Sequence, residues 1–310
     1  MRVVITGGTG LIGSALAADL AKDGHEVIVL TRSPERANNL PNGVRAVKWD
    51  ATSAKGWERE ADGAGAIVNL AGENISGDGF LPSRWTPARK ERILQSRLNA
   101  GKAVVEAIRG AAAKPRVLIQ SSAVGYYGAQ DENHQPPLDE TAPAGNDFLA
   151  NVCKQWEAVT DEVESMGVRR AIIRTGVVLT FKGGVLPLLS LPYQFFAGGP
   201  IGSGKQPIPW IHIDDEVKAI RFLIENETAS GVYNLTAPNP LTNAELGKTI
   251  GKVMGRPHWL PAPGFAFKLG FGELGESLVL TGQRVIPARL QAEGFHFAFP
   301  DAESALRDLY

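Results

Sequence analysis

Hydrophobic residues in the first half of the chain follow two alternating patterns. Short runs that are almost entirely apolar recur, and most are followed by a stretch whose apolar positions repeat every three or four residues. The runs predict buried parallel strands, and the stretches predict amphipathic helices. The predicted strands cover residues 2–6, 26–30, 44–49, 66–70, 116–120 and 169–174. The predicted helices cover residues 11–22, 87–109 and 147–166.

The order of these elements predicts an α/β fold. Apolar strands that alternate with helices form a parallel sheet covered on both faces, and right-handed connections make such a sheet doubly wound. We assign residues 1–179 to this sheet domain. After residue 180 the alternation stops and glycine and proline become frequent, so we expect 180–310 to form a smaller C-terminal lobe. A helix and a strand within 211–235 are expected to return to the sheet domain.

Composition and charge exclude several classes of protein. The 310 residues include 32 Lys and Arg against 33 Asp and Glu, and a net charge of −1 does not favour binding to nucleic acid or an anionic membrane. Cys153 is the single cysteine and the five histidines are scattered, so we expect no disulfide and no metal site. Met1 begins no signal-peptide pattern, and prolines interrupt the apolar stretch 184–202. We expect a cytoplasmic protein outside the membrane.

A glycine-rich turn directly follows the first predicted strand. Its sequence over residues 6–13, TGGTGLIG, places Gly7, Gly10 and Gly13 at a G-x-x-G-x-x-G spacing. Without side chains at these positions the backbone can approach a pyrophosphate, and Leu11 and Ile12 begin the helix whose positive end would hold it. The turn therefore predicts a dinucleotide site. The alternative is a tight turn that binds no ligand.

Residues that follow the next strands predict which dinucleotide binds. Thr31 and Arg32 follow the second strand, and Arg32 lies 19 residues after Gly13, where NAD enzymes carry an acidic residue. A guanidinium there pairs with the 2′-phosphate of NADP, so we predict NADP(H) as the cofactor. The alternative is a surface arginine without a ligand. Further candidates for cofactor contacts end the third and fourth strands: Asp50, Leu70, Ala71, Gly72 and Glu73.

Longer runs of sequence carry a family resemblance. TGGTGLIG, NLAG and SSAVGYYG, at 6–13, 69–72 and 121–128, resemble the extended short-chain dehydrogenases/reductases of the nucleotide-sugar epimerase branch. Runs spread over the rest of the chain resemble the atypical "epimerase family protein" subgroup of that branch. They are GENI at 72–75, GGPIGSGKQ at 198–206, WIHIDD at 210–215 and GQRVIPARL at 282–290.

This resemblance implies a specific architecture and cofactor. It implies a Rossmann-type sheet that binds NADP(H), with the C-terminal lobe as a substrate lobe that roofs the cleft and an extra C-terminal domain at about 258–306. It also implies that Glu73, Ser121 and Arg174 lie near the nicotinamide end of the cofactor. Homodimers built from the helices at 87–109 and 147–166 are a habit of the family.

The catalytic residues depart from the family pattern. The superfamily uses Tyr-x-x-x-Lys with a serine or threonine after the fifth strand, and the lysine lowers the pKa of the tyrosine for proton transfer. Lys154 matches that lysine, but Ala150 stands where the tyrosine belongs. The first alternative is that Tyr127, with Ser122 and Lys154, replaces the missing group.

Two other interpretations stay open. In one, Glu73, His212 or Asp214 transfers the proton. In the other, the chain performs no redox chemistry, and NADP(H) binding serves regulation, for example in cell division. Arg84 and Arg97, in an otherwise solvated basic run, are candidates to hold a substrate carboxylate or phosphate. We thus predict an oxidoreductase or isomerase acting on a small polar carbonyl or alcohol, with a non-catalytic NADP(H)-binding protein as the alternative.

Overall fold

The strands are spread along most of the chain, of which the computed structural model describes residues 1–37, 40–77, 79 and 81–310. In chain order they are β1 (Arg2–Thr6), β2 (Glu26–Thr31), β3 (Val44–Lys48), β4 (Ala66–Asn69), β5 (Val117–Ala123), β6 (Arg169–Thr175), β7 (Val177–Leu179), β8 (Pro207–Ile208), β9 (Trp210–His212), β10 (Gly231–Leu235) and β11 (Leu241–Thr242).

The helices alternate with the strands in the first half of the chain and become frequent in the second. They are α1 (Leu11–Lys22), α2 (Glu58–Ala61), α3 (Pro87–Gly110), α4 (Phe148–Ala158), α5 (Glu162–Ser165), α6 (Leu186–Gln194), α7 (Ile213–Glu225), α8 (Asn243–Met254), α9 (Gly264–Phe271), α10 (Glu273–Gly275), α11 (Ala288–Ala292) and α12 (Ala302–Leu309). Within the described ranges, no helix is both long enough and apolar enough to cross a bilayer.

One parallel sheet organises the molecule. Over the described residues it has seven strands in the order β10-β6-β5-β4-β1-β2-β3, and every neighbouring pair is parallel. Chain order runs one way from β1 to β3 and the other way from β4 to β6. The carboxyl ends of β1 and β4 therefore open a crevice, the usual ligand position in such sheets. The predicted doubly wound α/β fold is confirmed.

The core forms because alternate strand residues point to opposite faces of the sheet. Val3 and Ile5 pack on one face with the apolar sides of α1 and α7, whereas Val4 packs on the other with α3. Each such fully buried aliphatic side chain stabilises the fold by about 1.5–3 kcal/mol. The two covered faces leave only the strand ends open for function.

The second half of the chain both extends the sheet and covers one end of it. β10 is the edge strand beside β6, and α7 is tied to α1 where Nη1 of Arg221 meets Asp19 at 2.8 Å. A separate apolar cluster joins α6, α8 and α12. Gly282 passes so close to β8 that a Cβ there would lie 1.9 Å from the Pro207 carbonyl oxygen. Glycine is required at this position because the two backbones meet.

The helix predicted over 147–166 is interrupted. The structure has α4 and α5 instead, separated by residues 159–161. The carbonyl oxygen of Glu157 accepts hydrogen bonds from Nη1 of Arg170 at 2.8 Å and from Thr160 Oγ1 at 3.4 Å. The amide of Asp161 instead donates to Ala158. The side chains of Arg170 and Thr160 thus occupy the Glu157 carbonyl oxygen, which in a continuous helix would accept from the Asp161 amide. The spacing of apolar residues gives no sign of this interruption.

Candidate functional site

A groove of about 920 Å³ opens at the carboxyl ends of β1 to β4. Its walls also include the first half of α3, through Arg92, Ser96 and Asn99. Nine of the residues predicted to contact a cofactor line this groove together: Gly7, Gly10, Thr31, Arg32, Asp50, Leu70, Ala71, Gly72 and Glu73. The sequence prediction therefore assembles into one continuous surface.

The glycine-rich turn is shaped by close backbone approaches. Gly7 has φ +68°, a conformation that favours glycine, and its carbonyl accepts a hydrogen bond from the Gly10 amide at 2.9 Å. A Cβ on Gly13 would lie 2.5 Å from the same carbonyl oxygen. Gly7 and Gly13 thus keep the turn tight enough for its backbone to form the floor of the groove.

The start of α1 offers hydrogen-bond donors to an anion. Gly10 is the N-cap, so no side chain caps the helix, and the first turn contains no acidic residue. Leu11, Ile12 and Gly13 form that turn, behind the surface that Gly7 and Gly10 line. The unpaired amides and the helix dipole both favour a negative group. The turn fits a pyrophosphate on these grounds.

Two charged residues predicted to contact the cofactor, Arg32 and Asp50, lie in the groove beyond β2 and β3. Arg32 is exposed at the end of β2. The carboxylate of Asp50 accepts hydrogen bonds from the amides of Thr52 and Ser53 and from the Ser53 hydroxyl, at 2.7–2.8 Å. These hydrogen bonds, chiefly from the Thr52 amide, lower the pKa of Asp50 to about 2. Asp50 is therefore charged and held in place by its own turn.

A chain of buried polar side chains fixes the strand ends around the groove. Thr6 Oγ1 donates to Asn69 Oδ1 at 2.6 Å, and Asn69 Nδ2 donates to Gln120 Oε1 at 2.9 Å. Gln120 in turn donates to the backbone oxygen of Ser121. Sequence reasoning missed Asn69 and Gln120 as site-forming residues. The available signal was a polar residue directly after three consecutive apolar residues of a strand, in AIVN at 66–69 and VLIQ at 117–120.

Glu73 is part of a small polar cluster with α3. Its backbone amide donates to Ser96 Oγ at 2.9 Å, and its carboxylate pairs with Nε of Arg92 at 3.3 Å. This cluster sits at the end of the groove nearest Arg97. Ser96 and Arg92 were not predicted, because a long helix that follows a loop gives no indication of which face meets the strand ends.

A second cavity, of about 270 Å³, lies between the sheet domain and the C-terminal lobe. Residues after β5 and β6 form one side, and residues 277–283 form the other. Most of the lining is apolar, and among the described residues Arg97 is its only charged side chain. A Cβ on Gly72, in the groove wall, would lie 3.1 Å from Cζ of Arg97. The groove and the cavity are therefore adjacent.

The residues predicted for catalysis do not reach these spaces. Ser122 Oγ donates to Glu157 Oε1 at 2.6 Å, and the Tyr127 hydroxyl donates to Asn234 Oδ1 at 2.7 Å. Both side chains are buried, and neither lines the groove or the cavity. Burial raises the pKa of Tyr127, whereas proton transfer needs it lowered. Their catalytic roles stay predictions.

Lys154, Ser121 and Arg174 also lie outside the lining of both spaces. Lys154 is exposed on α4, with Nζ 3.5 Å from the Gly145 oxygen. Ser121 is buried within β5. Arg174 is buried and pairs with Glu157. These three residues, which were predicted to lie at the cofactor or to take part in catalysis, are thus not part of the groove surface.

The alternative proton-transfer residues, His212 at the end of β9 and Asp214 in α7, lie outside the cavity lining. His212 caps α7, because its Nδ1 accepts a hydrogen bond from the Asp214 amide at 3.1 Å. Its ring packs against Phe299, and burial lowers its pKa. Neither His212 nor Asp214 lines the groove or the cavity. The His212 ring thus caps α7, and a role of either residue in proton transfer stays a prediction.

Two family models match the chain. The NAD dependent epimerase/dehydratase family matches residues 3–175, and a domain of unknown function, DUF1731, matches residues 262–309. The first match contains the glycine-rich turn and β1 to β6, except for the first residue of β1. The second contains the segment that closes the far side of the cavity.

Individual proteins match over the full chain. The epimerase family protein YfhF of Bacillus subtilis is 40% identical over 309 residues, which span 100% of this chain and 98% of that protein. The chloroplastic epimerase family protein SDR39U1 homolog of Arabidopsis thaliana is 41% identical over 309 residues, covering 99% of this chain and 86% of that protein. The crystal structure of human SDR39U1 isoform 2 with NADPH has a TM-score of 0.85 and 34% identity, covering 100% and 99% of the two chains.

Proposed function

The chain belongs to the NAD dependent epimerase/dehydratase family and, within it, to the epimerase family proteins, and from this premise we propose that it is an NADP(H)-dependent oxidoreductase. The observation that carries this proposal is the contact between the groove and the cavity at Gly72 and Arg97. A dinucleotide in the groove and a small molecule in the cavity would meet at that point.

The groove supplies the contacts that NADP(H) needs. The turn from Gly7 to Gly13 and the start of α1 would hold the pyrophosphate, and Arg32 would pair with the 2′-phosphate. At Leu70, Ala71 and Gly72 the backbone that follows β4 would pass close to the cofactor. The NADPH in the human relative's structure supports the choice of NADP(H) over NAD.

When bound, NADPH supplies a hydride to a carbonyl carbon, and the carbonyl oxygen then takes a proton. This chain's residues exclude water from that transfer with an apolar wall that includes Leu149, Val177, Ile208 and Leu278. The same wall favours a less polar substrate than the sequence led us to expect. Few hydroxyl groups would find a partner on it.

One hydroxyl in the cavity wall is backed by a buried carboxyl group that can supply a proton for the substrate oxygen. Thr175, at the end of β6, lines the cavity, and its Oγ1 donates to Glu216 Oε1 at 2.8 Å. Glu216 is fully buried, and burial raises its pKa to about 8, so its carboxyl keeps a proton at neutral pH. Because the carboxyl is protonated, this hydrogen bond can reverse: Glu216 then donates to Thr175 Oγ1, and the Thr175 hydroxyl turns and donates its own proton to the substrate oxygen. Glu216 is left as a carboxylate, which takes its proton back from solvent between turnovers.

A second candidate function is NADP(H) binding without catalysis. It is favoured by Ala150, which replaces the expected tyrosine, and by the buried hydrogen bonds that occupy Ser122 and Tyr127. In that case the bound cofactor would serve regulation. A homodimer and a cytoplasmic location stay predictions for either function.

One experiment separates the two functions. Purified protein and NADPH are mixed with a panel of aldehydes, ketones and quinones, and oxidation is followed by the absorbance of the reduced nicotinamide. Turnover that disappears in Thr175→Val but survives in Tyr127→Phe, with NADPH binding intact in both, supports the proposed enzyme and its proton path. Turnover that disappears only in Tyr127→Phe would instead identify the predicted tyrosine as the proton donor. Tight NADPH binding without turnover favours the regulatory function.

A further inference from the structure

Three arginine side chains are buried in the described part of the chain, and they differ in their partners. Arg174 pairs with both oxygens of Glu157, and Arg170 pairs with Asp161 and Glu164. Arg97 is 9% exposed, yet no carboxylate of the described residues lies within 4 Å of its nitrogens. Because a buried charge is costly unless it is paired, Arg97 is the one that lacks its counter-ion.

The surroundings of Arg97 hold its guanidinium in one orientation. Nη1 donates to the backbone oxygens of Glu73 at 3.1 Å and Ile93 at 2.9 Å. The plane of the guanidinium lies over the Trp156 ring, with Cζ 4.7 Å from the ring centre. Within the described residues, Nε and Nη2 have no hydrogen-bond acceptor. These two donors form one edge of a fork that could bind both oxygens of a carboxylate.

Loss of the positive charge does not explain the missing partner. Burial lowers the pKa of Arg97 to about 10, but the guanidinium still carries its charge at neutral pH. Arg97 lines the cavity and not the groove, so the cofactor pyrophosphate is not the partner that this position suggests. The charge, which among the described residues is offset only by the more distant carboxylate of Glu73, therefore points to an anion in the cavity.

We propose that the cavity binds a predominantly apolar molecule with a single carboxylate, and that this carboxylate pairs with Arg97. The lining provides one cation and a largely apolar wall, which suits a monovalent anion on an apolar body. A phosphate dianion would need a second cation, and the lining has none among the described residues. A nucleoside-diphosphate sugar would bring two phosphates and many hydroxyl groups to a wall that has a single cation among the described residues and is largely apolar.

This inference rests on the proposed function for its role in catalysis, since Arg97 would place the carboxylate beside the groove. Its binding test does not depend on turnover. Hexanoic, octanoic and cinnamic acids, each with its primary amide, are titrated into the protein with and without NADPH, by calorimetry and ligand-observed NMR. We expect the acids to bind about tenfold to a hundredfold more tightly than the amides, the usual value of a charge-assisted hydrogen bond.

Two variants test whether Arg97 causes the preference. Arg97→Gln should bring the acids to the affinity of the amides and leave NADPH affinity unchanged, whereas Arg116→Gln, the same change at an exposed arginine, should change neither. Gln283→Glu adds a negative charge to the cavity wall with almost no change in shape, so it should also weaken the acids. This second variant keeps the test informative if Arg97→Gln fails to fold, which thermal unfolding will show.

The outcomes that overturn the inference are distinct from failure of the proposed function. Equal affinity for acids and amides, or no binding by any acid, overturns it. An acid preference that survives Arg97→Gln also overturns it, as does a parallel loss of NADPH affinity, which would make Arg97 part of the cofactor site. Absence of NADPH binding to the wild-type protein, with the acid preference intact, would instead contradict the proposed function alone.

Discussion

Nε and Nη2 of Arg174 donate to the two carboxylate oxygens of Glu157, at 2.9 Å each, in the buried space between β6 and α4. The same carboxylate accepts from Ser122, and the guanidinium lies 3.3 Å from the ring centre of Tyr126. Ser122, predicted for catalysis, and Arg174, predicted for cofactor contact, thus belong to a network that joins β5 and β6 to α4. Its geometry favours a structural function for Arg174 and Ser122.

Glu157→Gln should destabilise the protein by about 3–5 kcal/mol, since it leaves the buried guanidinium without its counter-charge. Urea unfolding followed by circular dichroism measures the change. Glu162→Gln is the matched control, because the pair of Glu162 with Arg109 is more than half exposed, and we expect about 1 kcal/mol or less there. Equal losses in the two variants would contradict a structural function for the buried pair.

Gly13→Ala should abolish NADPH binding and lower the melting temperature. The added Cβ would lie 2.5 Å from the Gly7 carbonyl oxygen and 2.7 Å from Gly8 Cα, so the turn must open. Gly110→Ala is the control, since Gly110 lies in α3 with no atom within 4 Å of the added carbon. There we expect unchanged NADPH binding and a stability gain of about 0.5–1 kcal/mol. Calorimetric titration and thermal unfolding of both variants give the answer.

Arg32→Ala should weaken NADPH binding about tenfold to a hundredfold and leave NADH binding unchanged. The two cofactors differ only in the 2′-phosphate, and Arg32 lies in the groove where that group is expected. Titration of wild type and variant with both cofactors measures the ratio of affinities. NADPH affinity that does not change would show that another group selects the cofactor.

Glu216→Gln should change the pH dependence of stability. The folded-state pKa of Glu216, about 8, lies above the 4.5 of an exposed glutamic acid, so the stabilisation by its protonation is full below pH 4.5 and is lost as pH rises to 8. Glutamine does not titrate. The melting temperature of the wild type relative to Glu216→Gln should therefore fall steadily between pH 5 and pH 8. A constant difference across that range would contradict the raised pKa.

The groove could be predicted because its residues are local in sequence. Each follows a strand whose apolar pattern is plain, and parallel strands bring their carboxyl ends to one edge. Gly7, Arg32 and Gly72 therefore needed no knowledge of distant contacts. The phosphate turn and its helix were predicted for the same reason.

The cavity could not be predicted in this way. Its one charge lies on α3, its opposite wall comes from 277–283, and only the folded chain brings the two together. The direction of Ser122 was equally hidden, because a single residue of register decides whether a strand side chain faces the cleft or the neighbouring helix. In this protein Ser122 faces the helix, where its hydroxyl donates to Glu157, a residue 35 positions later in the sequence.

Every described residue that lines the groove lies between Gly7 and Asn99, whereas the cavity is completed only by residues 277–283. Ribosomal synthesis proceeds from the N-terminus, so the groove residues leave the ribosome long before the last wall of the cavity. In each molecule, the residues of the proposed cofactor surface are thus synthesised before the last residues of the proposed substrate surface. If translation ended before residue 277, the chain would lack one wall of the cavity but would contain every described residue that lines the groove.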